Sequence, residues 1–210
     1  MDPCIRDTKS ENWRDKAKYL GSEINGGFAQ YCSVPFRNTY PVNSEMTDIE
    51  LASFHCSWAT AEHMLTRSRL RKGQTLVVTG ASGGVGTALI QLGKLRQAYV
   101  IAITSSEKFD LVKDCGADSV LDRNEKELKG NIIELAQGPV DVLADVAGGN
   151  NFAQLFEAIT KGGCYVTAGA IAGPIVDLDL RTLYLNDIEM HGCTVYEPSV
   201  FKTLIEYIED

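Results

Sequence analysis

The residues best suited to chemistry lie in a glycine-rich segment, residues 79–86, which reads Thr-Gly-Ala-Ser-Gly-Gly-Val-Gly. It follows a short β-rich apolar run at 75–79 and opens a segment whose apolar residues repeat at helical spacing. Glycines let a backbone turn sharply and approach a phosphate group closely, and a following helix directs free N–H groups at the anion. The pattern therefore predicts a pyrophosphate site for a dinucleotide, with contacts from Ser82, Gly83, Gly84, Val85 and Gly86. The alternative is a turn that serves only the packing of helix on strand.

Hydroxyl side chains and a cation follow the second predicted strand, 99–103. They are Thr104, Ser105, Ser106 and, after Glu107, Lys108. Hydroxyls and a cation suit the 2′-phosphate of NADP(H), whereas a carboxylate at this place would accept hydrogen bonds from the ribose of NAD(H). We therefore predict NADP(H) over NAD(H). Two alternatives stay open: a serine here is an ordinary helix N-cap beside a solvated Lys108, or Glu107 reaches the ribose.

From about residue 49 the sequence alternates apolar runs with helical periodicity. The predicted strands are 75–79, 99–103, 118–121, 140–146, 164–168 and 189–195, and the predicted helices are 86–97, 107–115, 125–137, 152–160 and 198–210. Strands that are apolar on both faces and alternate with helices predict an α/β fold with a doubly wound parallel sheet. Residues 1–48 are polar and irregular, with one predicted strand at 28–34.

Charge and cysteine content narrow the class of partner. The 20 Lys+Arg and 28 Asp+Glu residues give a net charge of −8 without a basic run, which argues against a nucleic-acid surface. No apolar run approaches the length of a membrane span, and no signal segment is visible. The six cysteines are too widely spaced for a zinc ribbon or a tight disulfide framework, so we expect most of them to be reduced and buried in a cytoplasmic protein. The expected partner is a small-molecule substrate.

Several segments together resemble the medium-chain dehydrogenase/reductase superfamily, which comprises zinc-type alcohol dehydrogenases and quinone-reductase-like relatives. The similar segments are 26–31 (GGFAQY) with 34–35 (VP), 56–61 (CSWATA), 81–86 (ASGGVG) and 116–118 (GAD). Many alcohol dehydrogenases have a glycine at the position of Ala81. In having an alanine there, the sequence resembles the quinone-reductase branch.

The resemblance implies two domains, a GroES-like barrel for the substrate and a Rossmann domain for the nucleotide. On this basis residues 1–48 are a remnant of the GroES-like domain and 49–210 the Rossmann domain, with the return to the first domain missing. The implied activity is hydride transfer between nicotinamide and a small alcohol, carbonyl or quinone, and the residues after the second strand make NADP(H) the expected coenzyme. The alternative is a nucleotide-binding fragment without activity, because the substrate domain is incomplete. The resemblance also implies a homodimer that pairs through the sheet edge at 189–195.

Further site residues follow from the resemblance alone. Thr60 would lie beside the nicotinamide, and Val146 with Ala147 would border the adenosine or ribose. Gly169, Ala170 and residues 193–195 would approach the nicotinamide. The plainer alternatives are helix placement for Thr60 and β-propensity for Thr194.

Cys56 matches the position of a catalytic zinc ligand in the zinc-dependent members. Zinc in such a site needs several thiolate, imidazole or carboxylate ligands, and the others would lie upstream of residue 1. Adjacent His55 is not expected to assist, because neighbours on an extended segment point to opposite faces. The alternative for Cys56 is a buried apolar cysteine. We expect His63 to be a surface residue and His191 a packed one.

Overall fold

The structure is a computed structural model that describes residues 1–209 and contains two compact units. One unit comprises Met1–Ala59 together with the chain from Val195 onward, and the other comprises Thr60–Thr194. The sequence placed a boundary at 48/49 and the last helix in the nucleotide domain, so these units have different bounds from the predicted domains. The assignment of 1–48 to a GroES-like domain stays a prediction.

The second unit is built on a six-stranded sheet in which every pair of neighbours is parallel. Its strands are β3 (Thr75–Val78), β4 (Tyr99–Thr104), β5 (Ser119–Asp122), β6 (Val140–Asp145), β7 (Ile159–Thr167) and β8 (Glu189–Gly192). Their order across the sheet is β5-β4-β3-β6-β7-β8. The predicted parallel α/β sheet is confirmed, and each of the six predicted apolar runs forms a strand.

One helix precedes these strands in the chain and five others connect them. They are α2 (Ala59–Arg67), α3 (Gly84–Leu95), α4 (Phe109–Asp114), α5 (Leu128–Ala136), α6 (Phe152–Phe156) and α7 (Leu180–Leu185). The prediction of a helix over 152–160 is wrong beyond Phe156, because β7 already begins at Ile159, five residues ahead of its predicted start. Helix α7 was not predicted. Ile159, which helical spacing alone assigned to the helix, pairs with Val140 of β6 and so belongs to β7.

Side chains on both faces of the sheet are buried. On one face α3 packs so closely that a Cβ atom on Gly93 would lie 2.8 Å from Leu76 and 3.2 Å from Val100. On the other face Val77 and Leu143 lie in the core cluster that also contains Phe152. Since successive side chains of a strand point to opposite faces, this double coverage explains why the strands are continuously apolar.

The first unit contains little regular sheet. A two-stranded antiparallel pair, β1 (Cys4–Ile5) and β2 (Lys18–Tyr19), is joined in this unit by α1 (Asp48–Ser53), a π-helical turn (Phe54–Trp58) and α8 (Pro198–Glu209). Residue 210 of the predicted last helix lies outside the described residues. A buried ion pair joins Arg6 to Asp2 at 2.8 Å.

The predicted strand at 28–34 is wrong. Residues 28–34 form bends and irregular chain, and the side chains of Phe28 and Tyr31 are exposed. A strand is stabilised by a hydrogen-bonded neighbour, and β-propensity without one is insufficient.

Two general properties of the described residues complete this picture. Among residues 1–209, no helix has both the length and the apolarity needed to cross a membrane. All six cysteines are free: Cys4, Cys164 and Cys193 are buried, Cys115 is half-buried, and Cys32 and Cys56 are exposed. Half of the cysteines are therefore buried, fewer than the sequence led us to expect.

Candidate dinucleotide site at the switch point of the sheet

The sheet has one place where the chain reverses its direction of travel across the strands. Strand β4 lies on one side of β3, and β6, which follows later in the chain, lies on the other side. In open parallel sheets such a switch point leaves a crevice at the carboxyl ends of the two strands, and ligands bind there. The glycine-rich segment 79–86 directly follows the carboxyl end of β3.

Two glycines of this segment are required by backbone geometry. Gly80 has φ +55°, and a Cβ atom there would lie 2.8 Å from Cγ2 of Val146. A Cβ atom on Gly86 would lie 2.3 Å from the carbonyl oxygen of Gly80. Gly86 therefore packs the helix against the turn, so the packing role considered from the sequence is present in the structure at this residue.

The other turn residues are more accessible. Gly83 and Gly84 are exposed, and Ser82 and Val85 are half-buried. Gly83 is the N-cap of α3 and has no side chain to occupy the first-turn N–H groups. This leaves the positive end of a twelve-residue helix open to an anion, which is the arrangement that a pyrophosphate site needs.

The segment after β4 lies beside this turn. The Thr104 hydroxyl donates a hydrogen bond to Oγ of Ser82 at 3.0 Å, which links the two predicted groups of contacts. Ser105 is buried and takes the N-cap position of a 3-10 turn (Ser106–Lys108), but its side chain makes no capping hydrogen bond to the described residues. Ser106 and Lys108 are exposed and accessible to a phosphate group.

Asp122 shapes this segment and was not identified from the sequence. Its Oδ2 accepts the Ser106 N–H at 3.1 Å, and its Oδ1 accepts the Asn124 N–H at 2.8 Å. The Asn124 N–H is the main cause that lowers the pKa of the Asp122 carboxyl. Arg123, the next residue, is exposed at the same end of the sheet. The predicted strand stopped at 121, one residue short of this acid, and so gave no reason to consider it.

Asp145 is a second residue that the sequence analysis missed. It is the last residue of β6 and is only 1% exposed. Its Oδ1 accepts hydrogen bonds from the Thr79 hydroxyl at 2.5 Å, the Ala147 N–H at 2.9 Å and the Gly148 N–H at 3.0 Å. Its Oδ2 accepts the Tyr165 hydroxyl at 2.9 Å. Burial, and then the charge of Asp145, raises the pKa of Tyr165 well above its ordinary value. An acid at the carboxyl end of a largely apolar strand is the signal that would have pointed to it.

The loops after β6 and β7 meet at Val146, which the resemblance placed near the ribose. A Cβ atom on Gly169 would lie 3.0 Å from the carbonyl oxygen of Val146. One step further on, the Ala172 N–H donates to the Ala147 carbonyl at 2.8 Å, and Gly148 pairs with Gly173 in a parallel bridge. Ala170, another predicted site residue, lies against Gly148, whose added Cβ would be 3.6 Å from that of Ala170. The structure thus brings Gly80, Val146, Gly169 and Ala170 together at the switch point.

Cys56 and its neighbour His55 differ from expectation. Cys56 is exposed in the π-helical turn, so the interpretation as a buried cysteine is wrong. His55 lies in the same helical turn, so the extended segment assumed for this pair is also wrong. Across the described part of the chain, no three His, Cys, Asp or Glu residues are placed to share a metal ion. The described residues do not fit a zinc site.

Three other residues are placed as follows. Thr60 is half-buried near the start of α2. His63 is buried, 6% exposed, which corrects the expectation of a surface residue. His191, which was expected to be packed, is half-buried and lies between Arg67, 3.3 Å from its Nδ1, and Glu189, 3.1 Å from its Nε2.

A parallel sheet with a glycine turn at its switch point defines a nucleotide-binding fold of the Rossmann type. A sequence profile for the family described as "Zinc-binding dehydrogenase" matches residues 84–210. The chain belongs to this family, and its predicted place in the medium-chain dehydrogenase/reductase superfamily is confirmed.

Individual relatives agree with this assignment. The crystal structure of an alcohol dehydrogenase from Sinorhizobium meliloti, described as putative, is 42% identical, with a TM-score of 0.92 over 99% of this chain and 58% of that one. An NAD-dependent alcohol dehydrogenase of Sulfurisphaera tokodaii is 27% identical over 95% of this chain and 58% of its own length. A quinone oxidoreductase-like protein 2 homolog of Nematostella vectensis is 28% identical over 80% and 47%. The chain thus spans about half the length of the curated relatives it matches.

Proposed function

We propose that the protein is an NADP(H)-dependent oxidoreductase that transfers hydride between nicotinamide and a small alcohol, carbonyl or quinone. The observation that carries the proposal is the bare glycine turn between β3 and α3 at the switch point of the sheet. The names of the relatives, alcohol dehydrogenase and quinone oxidoreductase-like protein, support the reaction class.

The residues of the turn fit a dinucleotide. The N–H groups of Gly84, Val85 and Gly86 at the start of α3 would hold the pyrophosphate oxygens, with the Ser82 hydroxyl beside them. Gly83 would let the backbone approach the phosphates without a side chain in between. When bound, the nicotinamide supplies or accepts the hydride. The chain orients the dinucleotide, with Thr60, Gly169 and Ala170 proposed on the nicotinamide side.

The preference for NADP(H) is argued from the end of β4. That strand ends in Thr104, and the exposed groups that follow it include the Ser106 hydroxyl and the Lys108 ammonium. A phosphate gains charge-assisted hydrogen bonds from such groups. The exposed Arg123 adds a second cation at the same end of the sheet. The Sulfurisphaera tokodaii relative is named NAD-dependent, so the preference has to rest on this chain's own residues.

Zinc has no part in this proposal. Among the described residues, Cys56 is not part of any group of three His, Cys, Asp or Glu side chains placed to share a metal ion, and no step of the proposed reaction passes through a metal.

Coenzyme titration tests the proposal. We expect NADPH, followed by its fluorescence, to bind the wild type more tightly than NADH. The variant Lys108→Glu should weaken NADPH binding about tenfold or more, since a hydrogen bond to a charged group contributes about 1.5–3 kcal/mol. NADH binding should change by less than about threefold, because NADH has no 2′-phosphate.

The matched control is Lys113→Glu, which makes the same charge change at an exposed position of α4. It should leave both affinities near those of the wild type. Tighter binding of NADH by the wild type would contradict the coenzyme preference. Absence of binding for both coenzymes would contradict the proposed function as a whole.

A further inference from the structure

A buried carboxylate connects the parts of the switch point that must act together. Asp145 is 1% exposed, and its hydrogen-bond donors come from three places: Thr79 before the glycine turn, Ala147 and Gly148 after β6, and Tyr165 on β7. A buried charge is costly unless it is hydrogen-bonded, so these donors are held where the carboxylate needs them.

Thr79 extends this network to the opposite wall of the crevice. Its hydroxyl donates to Asp145 and also accepts the Val146 N–H at 3.0 Å. Next to it, a Cβ atom on Gly80 would lie only 2.8 Å from Cγ2 of Val146. The glycine turn and the loop after β6 are therefore joined by hydrogen bonds and by van der Waals contact at adjacent residues.

The far side of Asp145 is fixed by an aromatic cluster. The Tyr165 ring packs edge-on against Phe152 and Phe156, with centroids 5.4 and 5.8 Å away. This packing fixes the hydroxyl that Oδ2 of Asp145 accepts. Asp145 thus connects the glycine turn with this packed core, in addition to the backbone hydrogen bonds from Thr79 to Ala144 and from Ala81 to Ile103.

We infer that Asp145 is a positioning residue for the dinucleotide, acting through Thr79 to hold the glycine turn in register with the loop 146–148. The inference rests on the proposed function. Because the network lies at the glycine turn, we expect it to affect binding of the pyrophosphate and of the nicotinamide half of the coenzyme. The 2′-phosphate of the adenosine half is placed at the end of β4, where none of the four donors to Asp145 lies.

The experiment compares binding of NADPH with binding of adenosine 2′-monophosphate, which carries only the adenosine half. In the full 210-residue chain, Thr79→Val and Asp145→Ala should each weaken NADPH binding about tenfold or more, and a factor of ten is close to the contribution of one hydrogen bond to a charged group. Both variants should change adenosine 2′-monophosphate binding by less than about threefold, a factor that corresponds to under 1 kcal/mol.

Conservative variants provide the rescue. Thr79→Ser keeps the hydroxyl, and Asp145→Asn keeps an acceptor for Thr79, Ala147 and Gly148 while its amide donates to Tyr165. Both should retain NADPH affinity within about fivefold, less than the 1.4 kcal/mol that a factor of ten represents. Tyr99→Phe is the control, because it removes a similar hydroxyl hydrogen bond, to Ser119, at the amino end of the sheet. It should leave both ligands unaffected.

Equal weakening of both ligands in Thr79→Val would show general loosening of the fold and overturn the inference. Unchanged NADPH affinity in that variant would overturn it as well. If Asp145→Ala fails to fold, the Thr79 pair decides the matter alone. Failure of the wild type to bind NADPH or NADH is a different result, because it removes the proposed function together with this inference.

Discussion

Two buried thiols near the sheet edge lead us to expect that the free energy of unfolding falls at alkaline pH. Burial raises the pKa of Cys164, in β7, and of Cys193, after β8, to about 11 from an ordinary 9.0. A pKa raised in the folded state means that folding excludes the thiolate, so stability is full below pH 9 and is lost as pH rises from 9 towards 11.

The variant Cys164→Ala separates this effect from packing. Between pH 9 and 11 the free energy of unfolding of the wild type should fall more steeply than that of the variant, by about 1.4 kcal/mol per pH unit. Urea denaturation under reducing conditions at several pH values measures both slopes. The lost packing lowers the variant's stability at every pH and does not affect the slope. Parallel curves for the two proteins would contradict the prediction.

At the scale of single residues, the sequence predicted the glycine turn, which depends on neighbouring residues. It did not predict roles that depend on contacts between residues distant in the chain. Gly80 and Gly86 stand in a pattern whose geometry is fixed by neighbours in sequence. The role of Asp145 depends on Tyr165 and Thr79, which are 20 and 66 residues away, and the sequence does not show that they meet. For the same reason the burial of His63 and the exposure of Cys56 were predicted wrongly.

At the scale of elements, strands buried on both faces were the most predictable. Their continuous apolar runs leave a parallel sheet as the consistent arrangement, and all six were found. Residues 28–34 also have strand-like composition, but Phe28 and Tyr31 remain exposed. The helix over 152–160 was predicted too long because apolar spacing in a short segment does not distinguish the end of a helix from the start of a buried strand.

The junction between β3 and α3 allows a glycine prediction with a matched control. Gly86→Ala should lower the free energy of unfolding by about 1–3 kcal/mol, since its Cβ would lie 2.3 Å from a backbone oxygen. Gly83→Ala meets that oxygen only at 3.4 Å, so its stability should stay near that of the wild type while NADPH affinity falls. Gly130 lies inside α5 with open space around it, so Gly130→Ala should raise the free energy of unfolding by about 0.5–1 kcal/mol and leave NADPH binding unchanged.

Urea denaturation and NADPH titration of the three glycine variants check this ordering. A Gly86→Ala variant as stable as Gly130→Ala would contradict the packing of the turn. A Gly83→Ala variant with wild-type affinity would contradict close approach of the backbone to the pyrophosphate.

At the scale of the whole molecule, the chain combines a net charge of −8 with a site proposed for an anionic coenzyme. Long-range electrostatics therefore oppose coenzyme binding, and local groups have to overcome them. The first turn of α3, Lys108 and Arg123 supply these groups within a few residues of the carboxyl ends of the strands. Charge that is far from the site is screened over about 8 Å at physiological ionic strength, which is why the local arrangement dominates.

The sheet edge leads to a prediction for the assembly. Strand β8 is the last strand of the six, and Met190 on it is 40% exposed. An edge strand pairs readily with another chain, and a two-fold interface brings the same residues of two copies together. We expect the 22.9 kDa chain to have twice that mass by light scattering after gel filtration.

Met190→Arg should shift the measured mass to that of the monomer, because like charges across paired strands are destabilising. Leu111→Arg, at an exposed apolar position of α4, should leave the dimer intact. A wild type of monomer mass at high protein concentration, or equal effects of the two arginines, would contradict pairing through β8.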